Sequence, residues 1–407
     1  MEESEFYRRA RTDLRGPLDG VRVLDVSKVW AGPMASAVLG DLGAEVVRVE
    51  MPGSTDGDLP PDLPGTTLSW FRQTVQRNKR SIGLDLRTPP AREVFLRLAR
   101  SADVVVENYK PGTLDKWGIG YEGCRAVRQD VVFVSISGWG QYGPAAGKPG
   151  YDPIAQAASG WMSLNGEPHG DPVKAPTYLA DDLAALQAVI GTLAALRHRD
   201  RTGEGQHVDV ALLDSLLAAS GGFLTLAALG VPLPRWGNQA DIVAPAGVFG
   251  CSDGHVYIAV ALNKHWRLLA GLIGRPELAS APGFATNRER RDNRDAVDGA
   301  VAAWCKERPL AEVVAALEAH GLSIAAVRTF AEAAADPDVR ARGMVQETVL
   351  SDGTPVPLTG PPVKFSGTPT RIRSAAPEPG ADTSAVLAEL GVAGDELAAL
   401  RASGALG

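Results

Sequence analysis

The sequence predicts an α/β protein with a doubly wound parallel sheet and a second, smaller α+β domain. Three observations carry that expectation. Short β-branched runs recur through the first third, at Val21–Val26, Glu45–Val49, Asp103–Val106 and Val131–Ile136. Stretches with helical spacing, such as Pro90–Arg100, lie between them, and this alternation implies parallel strands joined by crossovers. The chain has 407 residues, more than one ordinary core holds, which fits about two domains.

The remaining elements follow in order. Apolar residues recur at three- and four-residue steps from Leu183 through Leu186, Ile190, Leu193 and Leu196, the spacing of one helix face. Asp181 and Asp182 open this helix and Arg197, His198 and Arg199 close it, and both placements suit the helix dipole. The turn Thr202–Gly203–Glu204–Gly205 leads to a strand at Gln206–Val210 and then to an apolar helix from Ala211 to Leu229. The proline-rich segment Val231–Trp236 marks a change of character. A hairpin pattern follows, with Gly247–Cys251 and His255–Val260 flanking Ser252–Asp253–Gly254. Helical segments are expected at Trp266–Gly274 and Arg294–His320. After the Pro/Ala-rich stretch Arg371–Gly380, a short helix-rich piece spans Ser384–Arg401. The expected division is a large domain over 1–200, a linker helix region over 201–230, a small domain over 231–330 and a return to the large domain over 331–407.

Composition removes several function classes. Hydrophobic residues make up 45% and charged residues 22%, the profile of a soluble globular protein. No apolar run reaches about 18 residues, so no membrane span is expected. The segment Met1–Gly16 is charged and polar, unlike a secretion signal, and a cytoplasmic location is expected. Cys124, Cys251 and Cys305 are odd in number and far apart; they read as reduced thiols with no CxxC pair. The net charge of −7 argues against a nucleic-acid partner. It also requires that any anionic ligand be held by local donors.

Among short motifs, Gly118–Ile119–Gly120–Tyr121–Glu122–Gly123 has the letters of a dinucleotide fingerprint. It follows Leu114–Trp117 rather than a strand, and no acidic residue ends a following strand, so it reads as a loop. The first strand runs instead into Ser27–Lys28–Val29–Trp30–Ala31–Gly32–Pro33, which lacks the three glycines. NAD binding in the usual manner is therefore not expected. There is no GxSxG elbow and no GxxxxGK[ST] loop. His169, His198, His207, His255, His265 and His320 are scattered, and they give no positive case for a metal or for a Ser–His–Asp triad. Asp181–Asp182 is the sharpest feature. By position alone it is either a helix cap with a first-turn acid or a reactive carboxylate pair. Lys79–Arg80 is likewise either a solvated basic turn or a phosphate site.

Taken in order along nearly the whole chain, a set of motifs resembles the class III CoA-transferases, the family of formyl-CoA transferase, the carnitine and bile-acid CoA-transferases and the α-methylacyl-CoA racemases. The marks are Leu24–Asp25–Val26 with Ala31–Gly32–Pro33, then the run from Leu42 to Glu50, Asn78–Lys79–Arg80–Ser81–Ile82 with Leu84–Asp85–Leu86, and Asp103 to Tyr109 followed by Pro111–Gly112. Later marks are Ser137–Gly138–Trp139–Gly140, Thr202–Gly203–Glu204–Gly205–Gln206, and Asp336–Pro337 leading to Arg342–Gly343. Each is weak alone; their order and spacing are specific.

The resemblance implies a large Rossmann-like domain built from both chain ends, a smaller domain between, and an interlocked homodimer with the active site between domains and subunits. It implies a nucleophilic aspartate before a helix that ends in Leu193–Ala194–Ala195–Leu196, which places it on Asp181, with Asp182 as the fallback register. It implies CoA contacts at Val29, Asn78, Lys79, Arg80, Asn108, Tyr109 and Lys116, where Lys79, Arg80 and Lys116 would face the CoA phosphates. Asp152 matches an assisting acid, and Trp30 would wall the thioester pocket. Met51 stands where the formyl-CoA transferase branch has a basic residue. No glycine-rich loop occurs between Trp236 and Gly250, so oxalate and formyl-CoA are not favoured as substrates.

The implied chemistry is reversible CoA transfer between carboxylic acids through a mixed anhydride and an aspartyl-CoA thioester. Acyl-CoA and small carboxylic acids are the substrates, with no metal and no tightly bound cofactor. An aspartate of ordinary pKa, about 3.9, would be ionised without a base. Two alternatives stand beside it. A racemase needs an acid/base pair across the α-carbon, but Tyr151 of Gly150–Tyr151–Asp152 replaces that branch's histidine, and a tyrosine with pKa about 10 is a poor base. A non-catalytic CoA-binding homologue is the other. The apolar stretch Ile242–Val243–Ala244–Pro245 hints at a partly apolar acyl group.

Overall fold

In the computed structural model, residues 2–52, 62–240 and 242–406 are described. The chain divides into two compact units. One comprises Met1–Trp161, Lys174–Leu229 and Pro337–Gly407; the other comprises Met162–Val173 and Gly230–Asp336.

The larger unit is built on a six-stranded sheet: β1 (Arg22–Asp25), β2 (Glu45–Glu50), β3 (Lys79–Gly83), β4 (Val104–Glu107), β5 (Val132–Ser137) and β6 (His207–Ala211). All neighbours pair in parallel, in the order β3-β2-β1-β4-β5-β6. β4 and β5 are buried along their whole length. That is why valine, isoleucine and phenylalanine dominate these runs, with Ser135, Ser137 and Glu107 as the buried polar exceptions. One sheet face is covered by the helices Ala31–Asp41 and Leu179–Thr202. The other carries Pro89–Ser101 and Tyr121–Val127, joined by the C-terminal helices Thr383–Glu389 and Gly394–Ala402.

Two expectations change here. Lys79–Gly83 is a full strand, not a basic turn, because Ser81 and Ile82 are buried between β2 and the returning chain at Asp382 and Thr383. Residues 201–230 are not a linker: β6 is the sixth strand, and Leu216 in the helix Leu212–Ala218 belongs to the core. The expected single helix to Leu229 breaks at Gly221 and Gly222, whose φ values of 62° and 92° favour glycine.

The long helix Leu179–Thr202 also turns the other way from its leucine pattern. Leu186, Ile190 and Leu193 are 48%, 58% and 39% exposed. The buried face is Ala180, Ala184, Ala185, Ala188, Val189, Thr192, Ala195 and Leu196, so of the leucine pattern Leu196 is buried and Leu183 packs at the margin. Small residues win because the helix lies close on β5 and β6: a Cβ at Gly191 would come within 2.8 Å of Val208. Gly203, at φ 77°, caps its end. This helix alone among the described residues is long and apolar enough to suit a membrane, yet its buried stripe packs on the sheet and its first turn holds two acids.

The smaller unit has an antiparallel sheet of β7 (Ala246–Gly250), β8 (His255–Ala259) and β9 (Ser323–Ala326). Its core gathers Trp266, Leu269, Val297, Val301, Val313 and Leu317. The expected helix Arg294–His320 is two helices, Arg294–Lys306 and Leu310–Glu318, parted at Pro309. Met162–Val173 joins this unit through the Arg235 guanidinium, which donates to the carbonyls of Ser163, Glu167 and Gly170. No local pattern announces that pairing. The Ile242–Pro245 stretch is held from within the unit, with Arg290 donating to the Ala244 carbonyl and Arg294 to that of Val243. Ala244 is fully buried, so the stretch is framework as much as lining. A further hairpin, β10 (Val345–Val349) and β11 (Pro355–Thr359), returns to the larger unit.

Candidate active site

The strand order reverses between β1 and β4, and ligands of open α/β sheets sit in the crevice outside the carboxyl ends at such a point. The turn after β1 is tied to the residue after β4. The Lys28 N–H donates to Asn108 Oδ1 at 2.6 Å, and Asn108 Nδ2 donates to the Lys28 carbonyl at 2.7 Å. A side chain at position 32 would destroy this fit: its Cβ would lie 2.3 Å from the Ser27 Cβ and 3.3 Å from Asn108 Cγ. Between these fixed points Val29 adopts φ 61°. For a β-branched residue this is an outlier of about 1–3 kcal/mol, the kind that persists only where surroundings enforce it.

The same turn delivers Trp30. Its indole N–H donates to Asp182 Oδ1 at 2.7 Å. Its ring packs on Phe71 and on Tyr178, with centroids 4.8 and 4.5 Å away. Tyr178 is the residue that precedes the long helix, so Asp181 and Asp182 are the helix's third and fourth residues and neither caps it. The cap comes from outside. Asp152 Oδ1 accepts from the Ala180 N–H at 2.6 Å, satisfying one of the unpaired donors of the first turn, while Oδ2 accepts from Gln156 Nε2 at 2.7 Å. Asp152 opens the helix Asp152–Ala158. It is placed there by a tight backbone crossing in which a Cβ on Gly138 would approach the Gly150 Cα to 2.6 Å.

Among the described residues no donor reaches the Asp181 side chain. Burial first, then the charges of Asp152 and Asp182, push its carboxyl up to about 7. This corrects the expectation of an ordinary carboxylate: the group holds its proton to higher pH than a solvated aspartate does. Asp182 is raised too, by burial and by Asp152, against the pull of the Trp30 hydrogen bond.

The other expected residues separate into two groups. The Lys79 ammonium is fully buried, donating to Asp25, to the Pro33 carbonyl and to Gln76, each at 2.8 Å. Asn78 donates to Asp41 and to the Arg371 carbonyl and accepts from the backbone of Arg373 and Ser374. Arg80 pairs with Glu389 at 2.7 Å and with Glu45 at 3.4 Å, and Glu45 opens β2 at the amino end of the sheet. Buried or paired in this way, these three side chains brace the fold. Val29, Asn108 and Tyr109 lie instead in the turns at the carboxyl ends of β1 and β4, and Lys116 ends the short helix Thr113–Lys116 further along the chain.

The structure adds Lys28 to that group. Its ammonium sits 4.6 Å from the Tyr109 ring centroid, and Tyr109 in turn meets Trp117 edge-on. Lys110 and Lys116 are exposed on the segment that follows β4. The signal for Lys28 was its place in the first turn after β1. Glu107 was also missed; its carboxylate accepts from the Tyr109 N–H at 2.7 Å, and burial pushes it up to about 7. The GxGxxG letters have a local cause: a Cβ at Gly120 would strike Asp115, and one at Gly123 the Gly118 carbonyl. Among the described residues no group of three or more His, Cys, Asp or Glu could hold a metal ion.

Residues 18–383 match the model of CoA-transferase family III. The chain belongs to CoA-transferase family III. As a family III CoA-transferase it is an enzyme whose substrates are CoA thioesters. It is 37% identical over 383 residues to the succinate–glutarate CoA-transferase of Agrobacterium fabrum, covering 92% of this chain and 96% of that one. It is 35% identical over 355 residues to the acetyl-CoA:oxalate CoA-transferase of Acetobacter aceti, covering 87% and 90%. Among solved structures, a CaiB/BaiF family protein from Brucella suis superposes with a TM-score of 0.82 at 36% identity, covering 92% of this chain and all of the other.

Proposed function

We propose that this family III enzyme moves CoA reversibly from an acyl-CoA to a small carboxylic acid, with Asp181 as the nucleophile. One observation carries the choice: of the neighbouring aspartates, Asp182 is engaged by the Trp30 indole and Asp152 by the helix start, while Asp181 has no donor among the described residues. The ionised Asp181 carboxylate attacks the thioester carbonyl, the C–S bond breaks, and CoA thiolate leaves a mixed anhydride. The thiolate then attacks the Asp181 carbonyl of that anhydride, releasing the donor acid and leaving an aspartyl-CoA thioester. The acceptor carboxylate reverses these steps and regenerates Asp181. Thioester energy is conserved throughout. The N–H groups of the helix's first turn favour the anionic states.

For the CoA contacts, the exposed or half-buried set Lys28, Val29, Asn108, Tyr109, Lys110 and Lys116 is the better candidate. Lys79, Arg80 and Asn78 act indirectly, by fixing β3. The carboxylic acids named for the relatives make succinate, glutarate and oxalate the first acceptors to try. The missing glycine-rich loop ranks oxalate last. A homodimer fits the exposed apolar stripe Leu186–Ile190–Leu193 on the long helix; Leu224, Leu226 and Leu229 are further exposed apolar residues. The enzyme works with no tightly bound cofactor, in the cytoplasm.

The test is CoA exchange between a panel of acyl-CoAs and these acids, followed by chromatography. Exchange that Asp181→Ala abolishes supports the reading. Solvent deuterium entering the α-carbon without exchange would select the racemase. CoA binding with neither reaction would select the binding homologue.

A further inference from the structure

Two adjacent carboxyls share the first turn of the long helix, and chemistry through one requires that the other be kept out. The fold supplies a device for this outside the helix itself. Asn108, after β4, holds both the N–H and the carbonyl of Lys28, at 2.6 and 2.7 Å. That grip is a matched pair: only a side chain with one acceptor and one donor can make both bonds. It leaves the chain one residue, Val29, in which to reverse direction, and Val29 does so at φ 61°. Trp30 then begins the next helix with its indole N–H on Asp182 Oδ1 at 2.7 Å. Phe71, Trp70 and Tyr178 hold the ring on its other sides, so the indole has little freedom to swing away.

We infer that Asn108, Val29 and Trp30 form a clamp that selects the reactive aspartate: the Trp30 indole N–H occupies and holds the Asp182 carboxyl, which leaves Asp181 as the carboxyl that attacks. The inference rests on the proposal that Asp181 is the nucleophile. Within it, Asn108 and Trp30 are positioning residues. Asn108 acts through Lys28 and Trp30 through Asp182, which gives the turn a role apart from walling a pocket or touching CoA. An ionised Asp182 beside Asp181 also sets the pH at which Asp181 becomes a carboxylate, because like charges disfavour a second ionisation. The clamp therefore affects both which carboxyl reacts and the acid limb of the pH profile.

The experiment compares wild type, Trp30→Phe and Asn108→Asp. Phenylalanine keeps the aromatic packing and removes only the donor. Asn108→Asp keeps shape and the acceptor but loses the donor to the Lys28 carbonyl. It is the second route to the same break should Trp30→Phe not fold. Each protein is incubated with succinyl-CoA and quenched, and the CoA-bearing peptide is fragmented to locate the adduct. The kcat–pH profile is recorded alongside. Wild type should label Asp181 alone. In both variants part of the label should appear on Asp182 and the acid limb should move. kcat should fall about tenfold or more, the worth of one hydrogen bond to a charged group, with a smaller change in KM. Label confined to Asp181 with an unmoved limb in a folded variant overturns the clamp and leaves the nucleophile assignment standing. Wild type labelled elsewhere than Asp181 overturns the assignment and the clamp with it.

Discussion

Asp25 and Asp181 are carboxyls of the larger unit, the first fully buried and the second half-buried, and they are treated in opposite ways. Asp25 ends β1 with no exposure, and Lys79, Arg48, Ser27 and Ser36 all converge on it. Burial alone would push it up, but Lys79 and Arg48 outweigh burial and hold it well below the usual carboxylate range. Asp181 has the burial without the cations, and its nearest charges are both negative. The first arrangement anchors a sheet. The second leaves a carboxyl poorly solvated and without a cation, which is what the proposed nucleophile needs. A satisfied buried charge is framework, whereas an unsatisfied one is the candidate for chemistry.

That contrast can be broken from either side. The largest effect should be on activity: Asp181→Asn should cost about 10⁴-fold or more in kcat, as loss of a covalent nucleophile does, with CoA binding retained in calorimetry. The next should be on stability. Lys79→Met strips a buried partner from Asp25 and should cost about 3–5 kcal/mol, read as a lowered denaturation midpoint or as insoluble protein. Arg80→Ala, at the amino end of the sheet and partly solvated, should cost no more than about 1 kcal/mol.

The pH behaviour should differ in sign. Asp181 is raised to about 7, so the reactive form accumulates as pH rises. kcat should climb through that value on the acid side. For stability, a raised carboxyl favours the fold below its unfolded pKa, and this is lost as pH rises through about 7. Asp181→Asn should therefore melt higher than wild type at pH 8, by about 2–4 °C for each kcal/mol recovered, with the gap closing at pH 5. Asp25 has the opposite sign, since its contribution is present above the ordinary carboxylate pKa and is lost only in acid. The smallest and most separable effect concerns assembly. Ile190→Glu on the exposed stripe should shift a dimer toward monomer in light scattering while leaving the sheet intact.

How much of this was readable from the sequence follows from the same physics. β1, β2, β4 and β5 were legible because each carries a run of valine, leucine, isoleucine or phenylalanine of the kind that strands covered on both faces need, despite polar residues such as Asp25, Arg48 and Ser135. β3 was not, because Lys79 and Arg80 disguise it; the charges that made it look like a turn are the ones paired within the fold. The long helix was legible in extent but not in orientation. Mostly alanines, with Val189 and Leu196, face the sheet, while Leu186, Ile190 and Leu193 do not; the close approach at Gly191 accounts for the small residues. Asp181 was reachable by register against Leu193–Leu196. That Asp152, not Asp181 or Asp182, caps the helix, and that Trp30 engages Asp182, depends on contacts across 28 and 152 residues, which no local pattern encodes.

The most direct measurement is the site of the covalent adduct. Wild-type enzyme would be mixed with an acyl-CoA, quenched in acid within a turnover, digested and sequenced by mass spectrometry. A CoA thioester on Asp181, absent from Asp181→Asn, is the expected result. A CoA thioester on Asp182 or on any other side chain, or full exchange activity in Asp181→Asn, would contradict the account.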